Sequence, residues 1–98
     1  MTSARVGKAV ACVPAYNEEG TIARVLARAS RHVDRLVVVD DGSEDDTGLI
    51  AQKLGALVIR HDRNLGKGAA LRDCFDWAKK NNVDVLVTLD ADGQHDPD

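Results

Sequence analysis

The chain has 98 residues, a formal net charge of -3 and 30% charged residues. That length allows one small domain, burying roughly two thirds of its unfolded surface, and the acidic balance argues against nonspecific nucleic-acid binding, which needs a basic face or stripe. No apolar run approaches the ~20 residues of a membrane span and no signal-peptide core opens the chain, so a cytoplasmic location is expected.

Lys8 to Pro14 is the first short apolar run, with little alternation, as expected of a strand buried on both faces. Ile22, Val25, Leu26 and Ala29 then repeat at helical spacing while Arg24, Arg28 and Arg31 take the other side, which predicts an amphipathic crossover helix. Leu36 to Asp40 reads as the second strand. Ser43 to Thr47 can cap the next helix, which turns Ile50 and Leu54 inward and stops at Gly55. Leu57 to Arg60 is the third strand. A third helix follows Asn64-Leu65-Gly66-Lys67-Gly68, with an apolar stripe of Leu71, Cys74, Phe75 and Ala78, and Asn81-Asn82 ends it. Val85 to Asp90 is the fourth strand, expected to be buried like the others. Strands joined by helical crossovers predict an open, Rossmann-like parallel α/β sheet of order 3-2-1-4. Cys12 falls in the first strand and Cys74 on the third helix, with no paired spacing and no neighbouring His, so both are expected to be reduced core residues.

The polar residues gather where strands end. Open α/β sheets bind ligands along that edge, at the point where strand order reverses, here between strands one and four. Asp90-Ala91-Asp92 follows the fourth strand, and residues 90 and 92 of an extended chain point the same way. Two such carboxylates suit a hard divalent cation, Mg²⁺ or Mn²⁺, which keeps positions open for substrate phosphate oxygens. Several neighbours have plainer explanations. Asp40-Asp41-Gly42-Ser43 fits a turn with helix capping, and Glu18-Glu19 at a helix start is favoured by the dipole alone. Asn64 to Gly68 lacks the Walker pattern, although Lys67 is placed to reach a phosphate. His95 reads as an exposed loop residue, His32 and His61 have no constellation, and packing accounts for Trp77.

Val13-Pro14-Ala15-Tyr16-Asn17-Glu18-Glu19, Val37 to Ser43 with Asp45 and Thr47, Asn64 to Gly68, and Leu89-Asp90-Ala91-Asp92-Gly93-Gln94-His95 stand in an order and spacing that resembles glycosyltransferase family 2. The Gln94-His95 continuation is most similar to the dolichyl-phosphate mannosyl- or glucosyltransferase branch. The resemblance implies the nucleotide-sugar-binding, N-terminal part of a GT-A fold, a donor of the GDP-mannose or UDP-glucose type, and transfer with inversion to an acceptor, with a polyprenyl or dolichyl phosphate as the candidate. It places Pro14, Tyr16 and Glu18 around the nucleoside and gives Asp41, with Asp40 as a second candidate, a hydrogen bond from the base. Asp90 falls to the ribose or metal side, and Asp92 and Gln94 to the metal.

A bound cation would offset the charge that develops on the departing diphosphate. No general base can be assigned within these residues, and an ionised lipid phosphate would not require one. Residues 1–98 are therefore expected to be a donor-binding part ending just after the metal motif, inactive alone, with an exposed fourth strand that favours self-association, and with a parent acting at the cytoplasmic membrane surface. A noncatalytic nucleotide-binding or assembly module is the alternative. A receiver-like signalling domain would carry its acidic pair after the first strand, where this chain has Ala15-Tyr16-Asn17.

Overall fold

The computed structural model describes residues 8–91. Strands β1 (Ala9–Ala15), β2 (Arg35–Asp40), β3 (Leu57–Arg60) and β4 (Val85–Thr88) alternate with helices α1 (Ile22–Ala29), α2 (Thr47–Lys53) and α3 (Lys67–Lys80). All strand pairs are parallel and the order is β3-β2-β1-β4, as the crossover pattern predicts. The reversal of order falls between β1 and β4.

The alternating side chains of the central strands supply two cores. On one face Val13, Ala15 and Val38 meet Ile22 and Leu26 of α1 and Ala51 of α2. On the other, Val10, Cys12, Val37 and Val39 meet Ala70 and Cys74 of α3, with Trp77 packed alongside. Gly55, at φ 93°, and Asn82, at φ 56°, occupy the left-handed conformation that closes helices, each just beyond the end of α2 or α3. None of the described helices is long and apolar enough to cross a membrane.

Four local expectations are corrected. Cys12 and Cys74 form a disulfide across 62 residues, because packing α3 on β1 brings their Cα atoms to 5.9 Å. Spacing along the chain carries no sign of such a pair, and the pairing removes cysteine usage as support for a reducing compartment. The inward stripe of α3 is Ala70, Cys74 and Ala78, and Phe75 is 58% exposed, so the buried face is rotated by about one residue from the one expected. Leu54 is likewise exposed, since α2 ends before it and buries Thr47, Gly48 and Ala51. Finally, β4 is not buried on both faces. Leu86 packs in the α3 core, whereas Val85 and Val87 are exposed at the sheet edge.

Candidate functional site

A cleft of about 330 Å³ opens at the C-terminal ends of β1 and β4, lined by Pro14, Ala15, Tyr16, Glu18, Asp41, Asn64, Gly66, Lys67, Ala70, Asp90 and Ala91. It sits at the reversal of strand order, where neighbouring loops diverge and leave a crevice.

The loops after β1 and β2 form its wall and are stitched together by side chains. Asn17 N–H donates to Ser43 Oγ (2.9 Å), Glu18 N–H to Thr47 Oγ1 (2.8 Å) and Glu19 N–H to Asp45 Oδ2 (3.2 Å). In return Glu44 N–H donates to Asn17 Oδ1 (2.9 Å) and Asp46 N–H to Glu19 Oε1 (3.1 Å). The turn residues of the sequence thus have two roles, since Asp45 also accepts from both the N–H and the hydroxyl of Thr47 at the start of α2. Burial alone would raise the Asp45 carboxyl; the hydrogen bonds from Thr47 and Glu19 outweigh it and lower the carboxyl below its ordinary value. Thr21 Oγ1 donates to the Ala91 carbonyl (2.6 Å), tying the segment after β4 to the start of α1.

Asp40 and Asp41 are adjacent in sequence and face opposite ways. Asp40 is fully buried behind the cleft, where Oδ2 accepts from Arg60 Nη1 (2.5 Å) and Oδ1 from Ser43 N–H (3.0 Å). Gly48 leaves it room, for a Cβ there would lie 2.6 Å from Asp40 Oδ2. Asp41 lines the cleft. Its Oδ1 accepts from Leu65 N–H (2.7 Å), its Oδ2 from Gly66 N–H (2.9 Å), and Nδ1 of His61 lies 2.8 Å from Oδ1. Nε2 of the same ring lies 2.6 Å from Asp73 Oδ2 on α3.

Burial works to raise the Asp41 carboxyl, but His61 and the two backbone donors prevail and hold it below its ordinary 3.8. His61 is held above its ordinary 6.5, by Asp73 first and Asp41 second, against the opposing effect of burial. The signs fix a pH profile. Stability from His61 is fully present below 6.5 and fades as pH rises through its raised folded value; that from Asp41 is present above 3.8 and fades as pH falls through its lowered one. Denaturant midpoints measured against pH should therefore be highest between these limits and fall on both sides, and His61→Gln should remove the alkaline fall.

The remaining predicted positions are brought together in part. Pro14, Tyr16, Glu18, Asp41, Lys67, Asp90 and Ala91 meet in the cleft, and Lys67 Nζ donates to Asp90 Oδ1 at 2.7 Å. Asp40 is not among the lining residues. Asp92, Gln94 and His95 lie outside the described residues. His61, given no constellation by the sequence, is the residue that pattern reading missed. It stands immediately after β3, at a strand end as Tyr16, Asp41 and Asp90 do, and that position was the available signal.

The described residues include no cluster of three or more His, Cys, Asp or Glu that could hold a metal ion. Asp90 offers one hard oxygen ligand. The lining residues carry three carboxylates, Glu18, Asp41 and Asp90, against the ammonium of Lys67, so an anionic diphosphate would be repelled there without a further cation.

The comparisons agree with this geometry. The chain is 36% identical over 104 residues to a UDP-N-acetylglucosamine–dolichyl-phosphate N-acetylglucosaminyltransferase of Methanococcus voltae, covering 88% of this chain and 41% of the relative. It is 35% identical over 94 residues to a polyprenol monophosphomannose synthase of Mycolicibacterium smegmatis, covering 88% and 36%. The crystal structure of glucosyl-3-phosphoglycerate synthase from Mycobacterium tuberculosis, in complex with Mn²⁺, UDP and glucosyl-3-phosphoglycerate, superposes with a TM-score of 0.71 at 32% identity, covering 87% of this chain and 33% of that one. The chain thus spans about a third to two fifths of the length of these proteins. The sheet and its crossovers are those of GT-A glycosyltransferases, and with the family model for glycosyl transferase family 2 matching residues 10–98, the chain belongs to that family.

Proposed function

We propose that residues 8–91 carry most of the donor site of an inverting glycosyltransferase that takes a sugar from a nucleoside diphosphate and passes it to a lipid phosphate. The observation that carries this reading is the cleft at the β1/β4 reversal, with a carboxylate, Asp41, on one side and the Lys67–Asp90 pair on the other. Two anchor points of different chemistry suit a ligand with a base at one end and phosphates at the other. Asp41 would accept a hydrogen bond from the base, beside Pro14, Tyr16 and Glu18. Lys67 and the N-terminus of α3 would face the diphosphate.

A Mg²⁺ or Mn²⁺ ion fits the acidic lining; Asp90 would hold it, joined by Asp92 and Gln94, and when bound it would offset charge on the departing diphosphate. The protein's own part is to fix the donor. The stitched loops hold Tyr16 and Glu18 in place without reorganisation at the moment of reaction, which is how binding geometry becomes rate. The dolichyl phosphate and polyprenol in the names of two relatives support a lipid phosphate acceptor, and with it a site of action at a membrane surface. Family membership sets aside the receiver-like alternative.

Calorimetric titration with UDP and GDP, each with and without Mn²⁺, tests the reading. Metal-dependent binding of one nucleotide, lost in Asp90→Ala, is the expected result. A folded chain that binds neither would overturn it. The edge of β4, paired on one side only among the described residues, further supports association of the isolated chain. Sedimentation at tens of micromolar should show a species heavier than the monomer.

A further inference from the structure

His61 is a buried ring with each nitrogen against a different carboxylate: Nδ1 is 2.8 Å from Asp41 Oδ1, and Nε2 is 2.6 Å from Asp73 Oδ2. A carboxylate oxygen only accepts. A neutral imidazole has one N–H and one lone pair, so it can serve one of these partners while turning a lone pair on the other; only the imidazolium donates to both. The ring is 9% exposed and held from both nitrogens, on a main chain anchored by its N–H to the Asp40 carbonyl at 2.9 Å.

The other charged groups of the neighbourhood are committed or solvated. Arg60, next in the chain, reaches to Asp40 and to the Ser43 carbonyl, and Asp62 and Arg63 are exposed. Asp41 and Asp73 are the charged side chains in contact with the ring. The elevated His61 value, caused by those two contacts, agrees with the geometry.

The consequence lies on Asp41. Oδ1 already accepts from Leu65 N–H and His61, and Oδ2 from Gly66 N–H, so one acceptor site of Oδ2 is left for a ligand in the cleft. The two amides belong to the loop that leads into α3. His61 is the side-chain donor that fixes how the carboxylate is turned between that loop and the cleft, and Asp73 in turn fixes His61.

We propose that His61, oriented by Asp73, is a positioning residue for the nucleotide: as an imidazolium it locks the Asp41 carboxylate in the rotamer that accepts from the base, and loss of its proton loosens that grip. The inference rests on the donor-site reading above and adds to it two residues, a protonation state and a pH range. Binding should be strong at and below neutral pH and weaken as His61 deprotonates.

The test joins nucleotide titration with NMR of the histidine ring, on the chain with diamagnetic Mg²⁺ and on His61→Gln and Asp73→Asn. In the unsubstituted chain the ring should titrate above a free histidine, with the Leu65 and Gly66 amide signals moving in the same transition, and UDP or GDP affinity should fall about tenfold across it. An asparagine at 73 can donate to an unprotonated Nε2 and leave Nδ1–H for Asp41. Asp73→Asn should therefore flatten the pH profile and retain binding on the alkaline side, where the unsubstituted chain has lost it. His61→Gln should bind more weakly at neutral pH and lose the pH dependence. A ring that titrates at or below the free value, or nucleotide binding that is indifferent to both substitutions, overturns the proposal while leaving the donor site standing. Absence of nucleotide binding at every pH, with the ring titrating as expected, overturns the donor-site reading and the proposal with it.

Discussion

Gly42→Ala is expected to lower the stability of the chain by about 3 kcal/mol, a large share of the roughly 5–10 kcal/mol available to a domain of this size, and to lower its melting temperature by on the order of 15 °C. Two costs add. Gly42 has φ 76°, and an L side chain in that conformation costs roughly 1–2 kcal/mol. A Cβ there would also lie 2.3 Å from the carbonyl carbon of Arg63 and 2.5 Å from the nitrogen of Asn64, both backbone atoms that no rotamer change can move. Relief requires the segment after β3 to shift as a whole, and that segment supplies the Leu65 and Gly66 amides held by Asp41. Nucleotide binding should therefore weaken along with stability, whereas Gly20→Ala, where a Cβ meets nothing within 4 Å, should leave both close to the parent. Thermal melts of the two variants give the comparison. Equal melting temperatures would show that the β2 and β3 loops are not packed as described.

What the sequence makes legible follows from the reach of local patterns. Apolar runs of four to seven residues, separated by helical periodicity, disclose the strands, the crossovers and hence the sheet, because each run is marked separately, even in β4 where only one face is packed. The motif residues are legible as a set for a related reason: each stands just past a strand end, so one topological rule gathers them. Pairing across the chain leaves no such mark. Cys12 and Cys74 meet only because α3 lies over β1, and His61 finds Asp41 and Asp73 only once β3 and α3 are packed beside the β2 loop. The face of α3 was misphased for a local reason, since Ala70 is too small to signal an inward position and the larger Leu71 and Phe75 beside it signal falsely. Capping chemistry was half legible. Asp45 does hold the Thr47 amide that opens α2, but Ser43, Thr47 and Asp45 also satisfy the amides of Asn17, Glu18 and Glu19, a use that is invisible until the β1 and β2 loops are adjacent.

The pair Asp40-Asp41 shows the limit most sharply, and the two residues should part company on mutation. Read in sequence, either carboxylate could contact a base. In the fold Asp40 holds Arg60 and the Ser43 amide from a fully buried position, so Asp40→Ala orphans a buried N–H, leaves a guanidinium without its partner and opens a void beside Gly48. A loss of about 2–4 kcal/mol is expected, moderated because the Arg60 side chain is 55% exposed and can turn to water. Asp41→Ala orphans three donors at the cleft wall, where water can replace part of what is lost, and costs a similar amount. Their effects on binding should differ. Well below either melting temperature, the folded Asp40→Ala chain should bind UDP or GDP within a few-fold of the parent, because the lining residues keep their places. Asp41→Ala should weaken the same nucleotide by about a hundredfold, the range expected for removing a charged acceptor from a desolvated contact. Equal losses from both substitutions would return Asp40 to the base-contacting role that its position in the sequence suggests and would require the loop after β2 to turn over when nucleotide binds.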